Sequence, residues 1–463
     1  MRIIFENIGM ISKADINLSC NLTVIAGENN SGKSTVGKLL YILIKTFNRD
    51  VAEKNYRNKV YKKVNDTIEN FYFDLRYNLG EYLLDEEDNT NDVSSYIRKL
   101  IALRNSLIIE FKNYMNNLSF GKVEPKAINK IKFLLDNTTR EFLPNNIDEK
   151  AFDFLVSKHS QIIYDIINSK IDFKEEYMDR FNFLTSSLIR GPLPNALNGE
   201  KARIKVLEGN NLILNIVCNK SEILEFFFID ELYFKDVTLI ESPIIIDYQN
   251  LIHNSYSLPE VAAIQDHVDV TELVDDSTKD LVNKLRKISL QSSGDFNIDK
   301  IIDGYVEYDA SKDDFVYNTK GINFNISSAA SGIKSFGIIQ MLLQKNVLRD
   351  RHLLILDEPE VHLHPKWQLK FAELLTEISV KTRTKILVTS HSPYFIEGLR
   401  VYNEYYGRKF NVYVKNNYYY TIKNDYLKSD LLDVNDNLGI IFDKLASPFK
   451  ELENLYAGDW LDD

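Results

Sequence analysis

Three features of the 463-residue sequence predict an α/β fold built on a mixed central sheet, with an antiparallel β subdomain at the N-terminus and a helical insertion. A short apolar run, Leu22 to Ala26, leads through a glycine-bearing loop into a stretch of helical spacing. From about residue 48 to 190, Gly and Pro nearly vanish, and charged and apolar residues interleave with helical period. After about residue 320, apolar runs of strand length alternate with helical ones.

The elements follow in order. Arg2 to Asn7 and Ala14 to Leu18 alternate partially and read as strands, with Leu22 to Ala26 as a third. Val36, Leu39, Leu40, Leu43, Ile44 and Phe47 form one buried helical stripe. Phe133 to Leu143 and Phe152 to Ile167 are amphipathic pieces of the insertion, and no heptad run is long enough for an extended coiled coil. The loop Gly191 to Asn195 ends the insertion. Ile204 to Leu207, Leu212 to Cys218, Phe226 to Ile229 and Val237 to Ile240 read as strands, and Tyr305 to Phe324 as a hairpin. Then come helix Phe336 to Leu343, strand His352 to Leu356, helix Lys366 to Ile378 and strand Lys385 to Val388. The expected division is 1–47 (first part of the core), 48–195 (helical insertion), 196–320 (β-rich and mixed), 321–400 (second part of the core) and 401–463 (mixed).

Composition narrows the class. A hydrophobic content of 44% supplies a sizeable core. Two cysteines, Cys20 and Cys218, make neither a disulfide framework nor a CxxC metal pattern. No signal peptide is read at the N-terminus, and no apolar run approaches the roughly 18 residues that span a bilayer. The expectation is a cytoplasmic protein. A net charge of -11 argues against a generally basic surface for nucleic acid, though a local basic groove stays open. The basic clusters Arg57/Lys59/Lys62/Lys63, Lys122/Lys126/Lys130/Lys132 and Lys284/Arg286/Lys287 lie among acidic residues and read mainly as solvated helix faces.

The strongest chemical signal is Gly27-Glu28-Asn29-Asn30-Ser31-Gly32-Lys33-Ser34, which fits GxxxxGK[ST] between a strand and a helix. Such a loop turns backbone N–H groups inward around phosphate oxygens at the positive end of a helix dipole. Lys33 would reach the β- and γ-phosphates of ATP, Ser34 would bind Mg²⁺, and Thr35 would line the α-phosphate side. The second signal is the apolar strand Leu353 to Leu356, which delivers Asp357 and Glu358 at its C-terminal end. Asp357 would hold Mg²⁺ through water, and Glu358 would polarise the attacking water. Alone, that pair could equally be an acidic turn. His391, in Val388 to Pro393, ends another strand and is placed to sense the γ-phosphate; a lone histidine there is more often structural. Ser327 to Ser335 puts small residues before a buried helix, which serves either an anion or a helix cap.

In order and content these motifs resemble the ABC ATPase superfamily, specifically its SMC/RecF-like and OLD-like branch. The resemblance rests on residues 1–47 and about 320–400, including DEPEVHLHP (Asp357 to Pro365) and TSHSPYFIE (Thr389 to Glu397). It implies hydrolysis of ATP to ADP and phosphate by a head-to-head dimer or larger assembly. Each ATP would be held by one subunit's phosphate loop and by the other's signature helix, here Ser331, Gly332 and Lys334. Glu358 and His391, with Lys33, carry over as catalytic residues. The family pattern is broken in places. The signature reads AASGIKS, not LSGGQ, and no Q-loop glutamine is assigned; Gln249 and Gln265 are weak candidates, and Glu241-Ser242-Pro243 marks a lobe boundary. His362 and His364 stand where transporters have a D-loop aspartate, and they read as interface or cap groups, not a metal pair. With 72 residues after His391 and no acidic metal-binding pattern among them, no TOPRIM nuclease is expected. The implied role is the ATPase subunit of a bacterial anti-phage defence system, controlling a separately encoded effector. The alternatives are a DNA-binding repair ATPase of the SMC/RecF kind and an ATP-held, non-catalytic scaffold.

Overall fold

The computed structural model describes residues 1–29, 31–79, 93–118, 124–142, 148–169, 173–194, 201–220, 222–229, 231–249, 274–287, 296–410, 418–425 and 428–446. Contacts divide the chain into two compact units: Met1–Asn48 with Met178–Asp463, and Arg49–Tyr177.

The first unit opens with β1 (Arg2–Ile8), β2 (Ile11–Asn17), β3 (Leu22–Ala26) and α1 (Lys33–Thr46). The second unit holds α2 (Arg49–Leu79), α3 (Val93–Asn116), α4 (Ala127–Arg140) and α5 (Glu149–Asn168), and α6 (Phe173–Ile189) follows in sequence. The chain continues through β4 (Ala202–Glu208), β5 (Asn211–Cys218), β6 (Ile223–Phe228), β7 (Asp236–Ile240) and a 3₁₀ turn (Pro243–Tyr248). Next are α7 (Asp276–Arg286), α8 (Ile298–Ile301), β8 (Tyr305–Asp309), β9 (Asp314–Thr319) and β10 (Ile322–Asn325). Then come α9 (Ser331–Gln344), β11 (His352–Asp357), α10 (Pro365–Thr382), β12 (Lys385–Ser390) and α11 (Pro393–Lys409). The described chain ends with β13 (Tyr418–Asp425), β14 (Lys428–Asp433) and α12 (Gly439–Leu445).

Among the described residues, eleven strands form one mixed sheet in the order β6-β5-β4-β1-β2-β14-β13-β3-β12-β11-β7. The predicted α/β class, mixed sheet and antiparallel N-terminal part are all present. Strands β13, β3, β12, β11 and β7 run parallel. Their apolar runs do not alternate because both faces are covered, as parallel sheets require. On one face Val24, Leu354, Leu356 and Val388 share a core with Phe336, Ile339 and Leu342 of α9 and Phe371 and Leu375 of α10. On the other, Gly37 of α1 lies against Ile355. From β6 to β2 the sheet is antiparallel, and β14 joins the two parts, parallel to β2 and antiparallel to β13.

Two arrangements differ from or add to the sequence reading. The predicted hairpin at 305–324 is a separate three-stranded antiparallel sheet, β10-β9-β8. Lys320 and Gly321 both take positive φ, which makes a tight turn and lets β10 fold back on β9. The C-terminal strands enter the middle of the large sheet, where β13 pairs with β3 and β14 with β2. Tyr420 and Tyr418 fix that insertion: their hydroxyls accept from the Asn17 backbone N (2.9 Å) and Asn17 Nδ2 (3.0 Å).

In the second unit α2 to α5 pack as a ring, each helix against two neighbours, around Phe71, Leu107, Phe111, Leu135, Phe152 and Ile163. Asp74 of α2 accepts from Lys158 Nζ (2.7 Å) and His159 Nε2 (2.9 Å) of α5, which holds its carboxyl below the usual range. Asp148 caps α5 by accepting from Lys150 N (3.0 Å) and Ala151 N (3.2 Å). Leu143 of the predicted helix 133–143 lies outside the described residues. Among the described residues, no helix is long and apolar enough to cross a membrane.

Candidate functional site

Parallel strands put all their C-terminal ends on one edge, and ligands of such sheets sit outside that edge. Here β3 ends at the glycine loop, β11 at Asp357, β12 before His391 and β7 before Glu241. A cleft of about 430 Å³ lies there. It is lined by Met10, Asn29, Ser31, Gly32, Lys33, Ser34 and Thr35 on one side, and by Glu241, Ser242, Pro243, Asp357, Glu358, Val361 and His362 on the other. The volume is that of a small-molecule site.

The loop is shaped by Gly32, whose φ of 94° is a left-handed conformation that side-chain-bearing residues rarely adopt. No side chain caps α1. Its first-turn N–H groups therefore need partners from outside the helix. Lys33 is buried and folds back over the loop. Its Nζ donates to Gly27 O (3.0 Å) and Glu28 O (2.7 Å) and lies 3.1 Å from Glu358 Oε1. Ser31 is 1% exposed, and its hydroxyl has no hydrogen-bond partner. A buried hydroxyl without a partner, beside a helix N-terminus that no side chain caps and a lysine, fits a polyanionic ligand such as a nucleoside triphosphate. Ser34 and Asp357 line the same cleft and carry oxygens that suit Mg²⁺, a hard cation that takes few protein ligands when phosphates are present. Asn30 lies outside the described residues.

Thr389 organises the carboxylates. Its Oγ1 donates to Asp357 Oδ1 and accepts from Glu358 N (3.1 Å), and its carbonyl also accepts from Glu358 N (3.1 Å). Glu358 takes φ 45°, which turns the chain sharply as β11 ends. His391 Nδ1 lies 3.5 Å from Glu358 Oε2 and 3.7 Å from Glu360 Oε1, beyond hydrogen-bond length. The structure therefore brings together Lys33, Glu358 and His391, and lines one cleft with Asn29, Ser31 to Thr35 and Asp357.

The signature residues are placed otherwise. Ser331 Oγ donates to His362 O of the same chain (3.4 Å). Gly332 is closely packed: a Cβ would meet the Trp367 ring at 3.0 Å and Leu363 Cδ2 at 3.2 Å, so those side chains would have to give way. Lys334 is 6% exposed and donates to Asp247 Oδ2 (2.6 Å) and Ser327 O (3.1 Å). Contact of Lys334 with ATP would require that pair to open. Gln249 faces away from the cleft: it donates to Asp313 O (3.0 Å) and accepts from Arg286. Gln265 lies outside the described residues. His364 caps α10 by accepting from Lys366 N (3.3 Å).

Sequence reasoning gave Glu241 no chemical role, yet it lines the cleft and pairs with Lys38 (2.8 Å). Burial raises its carboxyl above the usual range, against the pull of Lys38. Its signal was there: like Asp357, it is the first carboxylate after an apolar strand. Of the basic clusters, Lys284 is buried among carboxylates and Arg286 is bonded to Gln249 and Asp313, while Lys287 is exposed, so two of these three cations are used within the fold.

Residues 1–396 match the family model of the AAA ATPase domain. No curated protein matches the chain. Among solved structures, the chain is similar to the SMC head domain from Thermotoga maritima at 9% identity and TM-score 0.37, over 94% of this chain and 98% of that one. It is similar to an SmcHead bound to the C-winged helix domain of ScpA at 10% and 0.36, over 95% and 98%. It is also similar to a Smc head domain with an extended coiled coil, bound to the C-terminal domain of ScpA derived from Pyrococcus furiosus, at 10% and 0.31, over 98% of each.

Proposed function

Because the chain belongs to the AAA ATPase domain family, we propose that the cleft at the ends of β3 and β11 binds ATP with Mg²⁺ and hydrolyses it. The observation that carries this is the meeting of Lys33, Ser34, Asp357 and Glu358 at one cleft, beside a buried hydroxyl without a partner. Gly27 to Thr35 wrap the phosphates with backbone N–H groups. Lys33 exchanges its Glu358 partner for phosphate oxygens. Ser34 and Asp357 would hold Mg²⁺, which would supply positive charge to the phosphate oxygens. Glu358 then faces the attacking water as its base, and His391 contacts the γ-phosphate end. Phosphate release from ATP–Mg²⁺ by the purified chain, lost in Lys33→Ala, tests this reading. A chain that neither binds nor cleaves ATP would end it.

Ser31→Ala separates ligand contact from folding. The substitution removes a buried hydroxyl with no partner, a group that costs about 1–3 kcal/mol. The melting temperature is expected to stay the same or rise slightly. ATP affinity is expected to fall by about 5- to 10-fold, the worth of one hydrogen bond of about 1 kcal/mol. Calorimetry and ATP titration check both; unchanged affinity would remove Ser31 from the phosphate contacts.

The reading extends to assembly and role. Ser331 and Gly332, at the start of α9, are offered to the ATP of a second copy, so that ATP closes a head-to-head dimer. Hydrolysis then switches a separately encoded effector, in anti-phage defence. The support is the likeness of the DEPEVHLHP and TSHSPYFIE stretches to the OLD-like branch. Co-purification with a neighbouring gene's product tests it, and nuclease activity in the lone chain would sink it. Direct DNA binding gains no support from Lys284 and Arg286, which are used within the fold.

A further inference from the structure

We infer that Glu360 is a positioning residue, whose buried carboxylate fixes the turn carrying Glu358 against the β12–α11 junction carrying His391. This rests on the proposed ATPase site. Glu360 is 2% exposed and does not line the cleft. One of its oxygens, Oε1, accepts three hydrogen bonds: from Ser390 Oγ (2.5 Å), His391 N (3.0 Å) and Ser392 N (3.3 Å). Its other oxygen is buried without a partner. Oε1 thus collects donors that β12 no longer uses and α11 does not yet use. Burial raises the carboxyl above its usual range even so.

The main chain and a second side chain close the clamp. Val361 N donates to Glu358 O (3.1 Å), and Leu363 N to Glu360 O (3.0 Å). Gln368 Nε2 donates to Leu363 O (3.0 Å), while its Oε1 accepts from Ser392 Oγ (2.7 Å). Glu358 (φ 45°) and His362 (φ 68°) are both held in the left-handed region. Such strain persists only where surrounding bonds over-determine it. With both ends tied, the side chain of Glu360 sets where the His391 imidazole stands relative to Glu358.

Length and charge make opposite predictions. Glu360→Gln keeps the length and an acceptor oxygen. Glu360→Asp keeps the charge but withdraws it by about 1.5 Å, one carbon–carbon bond. Positioning predicts near-wild-type turnover for Gln. For Asp it predicts a kcat lowered about 10- to 100-fold with KM for ATP little changed, the scale of an ångström-level misplacement. In a His391→Ala background the Asp substitution should cost nothing further, because both changes act on one element. The inference is overturned if Asp is active and Gln is not, or if the losses of Asp and His391→Ala multiply. Histidine-selective NMR gives a readout independent of turnover. The His391 ring signal, identified by its loss in His391→Ala among seven histidines, should move further in the Asp variant, where the ring is displaced, than in the Gln variant, where only the neighbouring charge 3.7 Å from Nδ1 is lost. Equal behaviour in the two overturns the inference. A wild type without ATPase activity would instead count against the proposed function, leaving the NMR result to decide on Glu360.

Discussion

Glu358→Gln is expected to stop ATP turnover while leaving ATP bound, with kcat lowered by about 10²- to 10⁴-fold, the usual worth of a positioned base. The substitution is close to isosteric. The backbone N of Glu358 stays bonded to Thr389 O and Oγ1, so the turn is kept. What is lost is the charge that lies 3.1 Å from Lys33 Nζ and 3.5 Å from His391 Nδ1. Without ATP, that carboxylate occupies the ammonium of Lys33. With ATP it repels the γ-phosphate. Removing it favours the ATP-bound state on both counts, so affinity should be equal or higher. Native mass with ATP–Mg²⁺ should then show the variant trapped in a larger assembly that the wild type only visits. If turnover stops but mass does not change, the site works within one chain and the head-to-head dimer falls. If wild type and variant assemble alike and neither hydrolyses ATP, the scaffold reading replaces the enzyme.

The site was legible where its parts are contiguous in sequence. Gly27 to Ser34 states its own geometry, because strand, loop and helix follow without a break, and Asp357 and Glu358 end an apolar strand. What sequence could not supply was pairing across long separations. Glu241 joins the cleft only because β7 lies parallel to β11, and nothing local announces that register. Lys334 looks like an ATP ligand until the turn after Glu241 brings Asp247 to it. Glu360 is indistinguishable from Glu358 by type. The two part company because Glu358 takes positive φ and redirects the chain, so that one carboxylate lines the cleft and the other is buried. The C-terminal strands read as mixed sequence, yet one of them flanks the strand that leads into the glycine loop.

Lys284 shows the same limit and carries the second large effect. In sequence it belongs to a basic cluster; in the fold its ammonium is buried, 3.0 Å from Asp236 Oδ2 and 2.8 Å from Asp280 Oδ2, and it donates to Val237 O (2.6 Å). Lys45, near the end of α1, completes the group at 2.7 Å from Asp236 and 2.8 Å from Asp280. Lys284→Ala leaves the half-buried carboxylates of Asp236 and Asp280 with one ammonium in place of two and should cost about 1–3 kcal/mol, less than opening a fully buried pair, read as an earlier thermal transition. Lys284→Met with Asp280→Leu should lose much less, because it removes one charge of each sign. The same cluster makes the fold acid-sensitive. Burial, with Lys284 next, pushes the imidazole of His352 down to about 3. The unfolded chain takes up that proton near pH 6.5 and the folded one does not, so stability should fall as pH drops from about 6.5 towards 3. Burial works against the charge of Asp236, but Lys284, Lys45 and His352 outweigh it and hold its carboxyl well below the usual range. Asp236 therefore adds to the loss only below about pH 4. Melting curves at pH 7, 6 and 5 separate the two, and His352→Gln should flatten the upper part of the slope. A melting temperature unchanged between pH 7 and 5 would show that His352 is not held neutral. The group lies at the far end of α1 from Lys33, so it anchors the helix whose other end forms the proposed phosphate site. Loss of Lys284 should therefore also loosen ATP binding, at temperatures where the fold still stands.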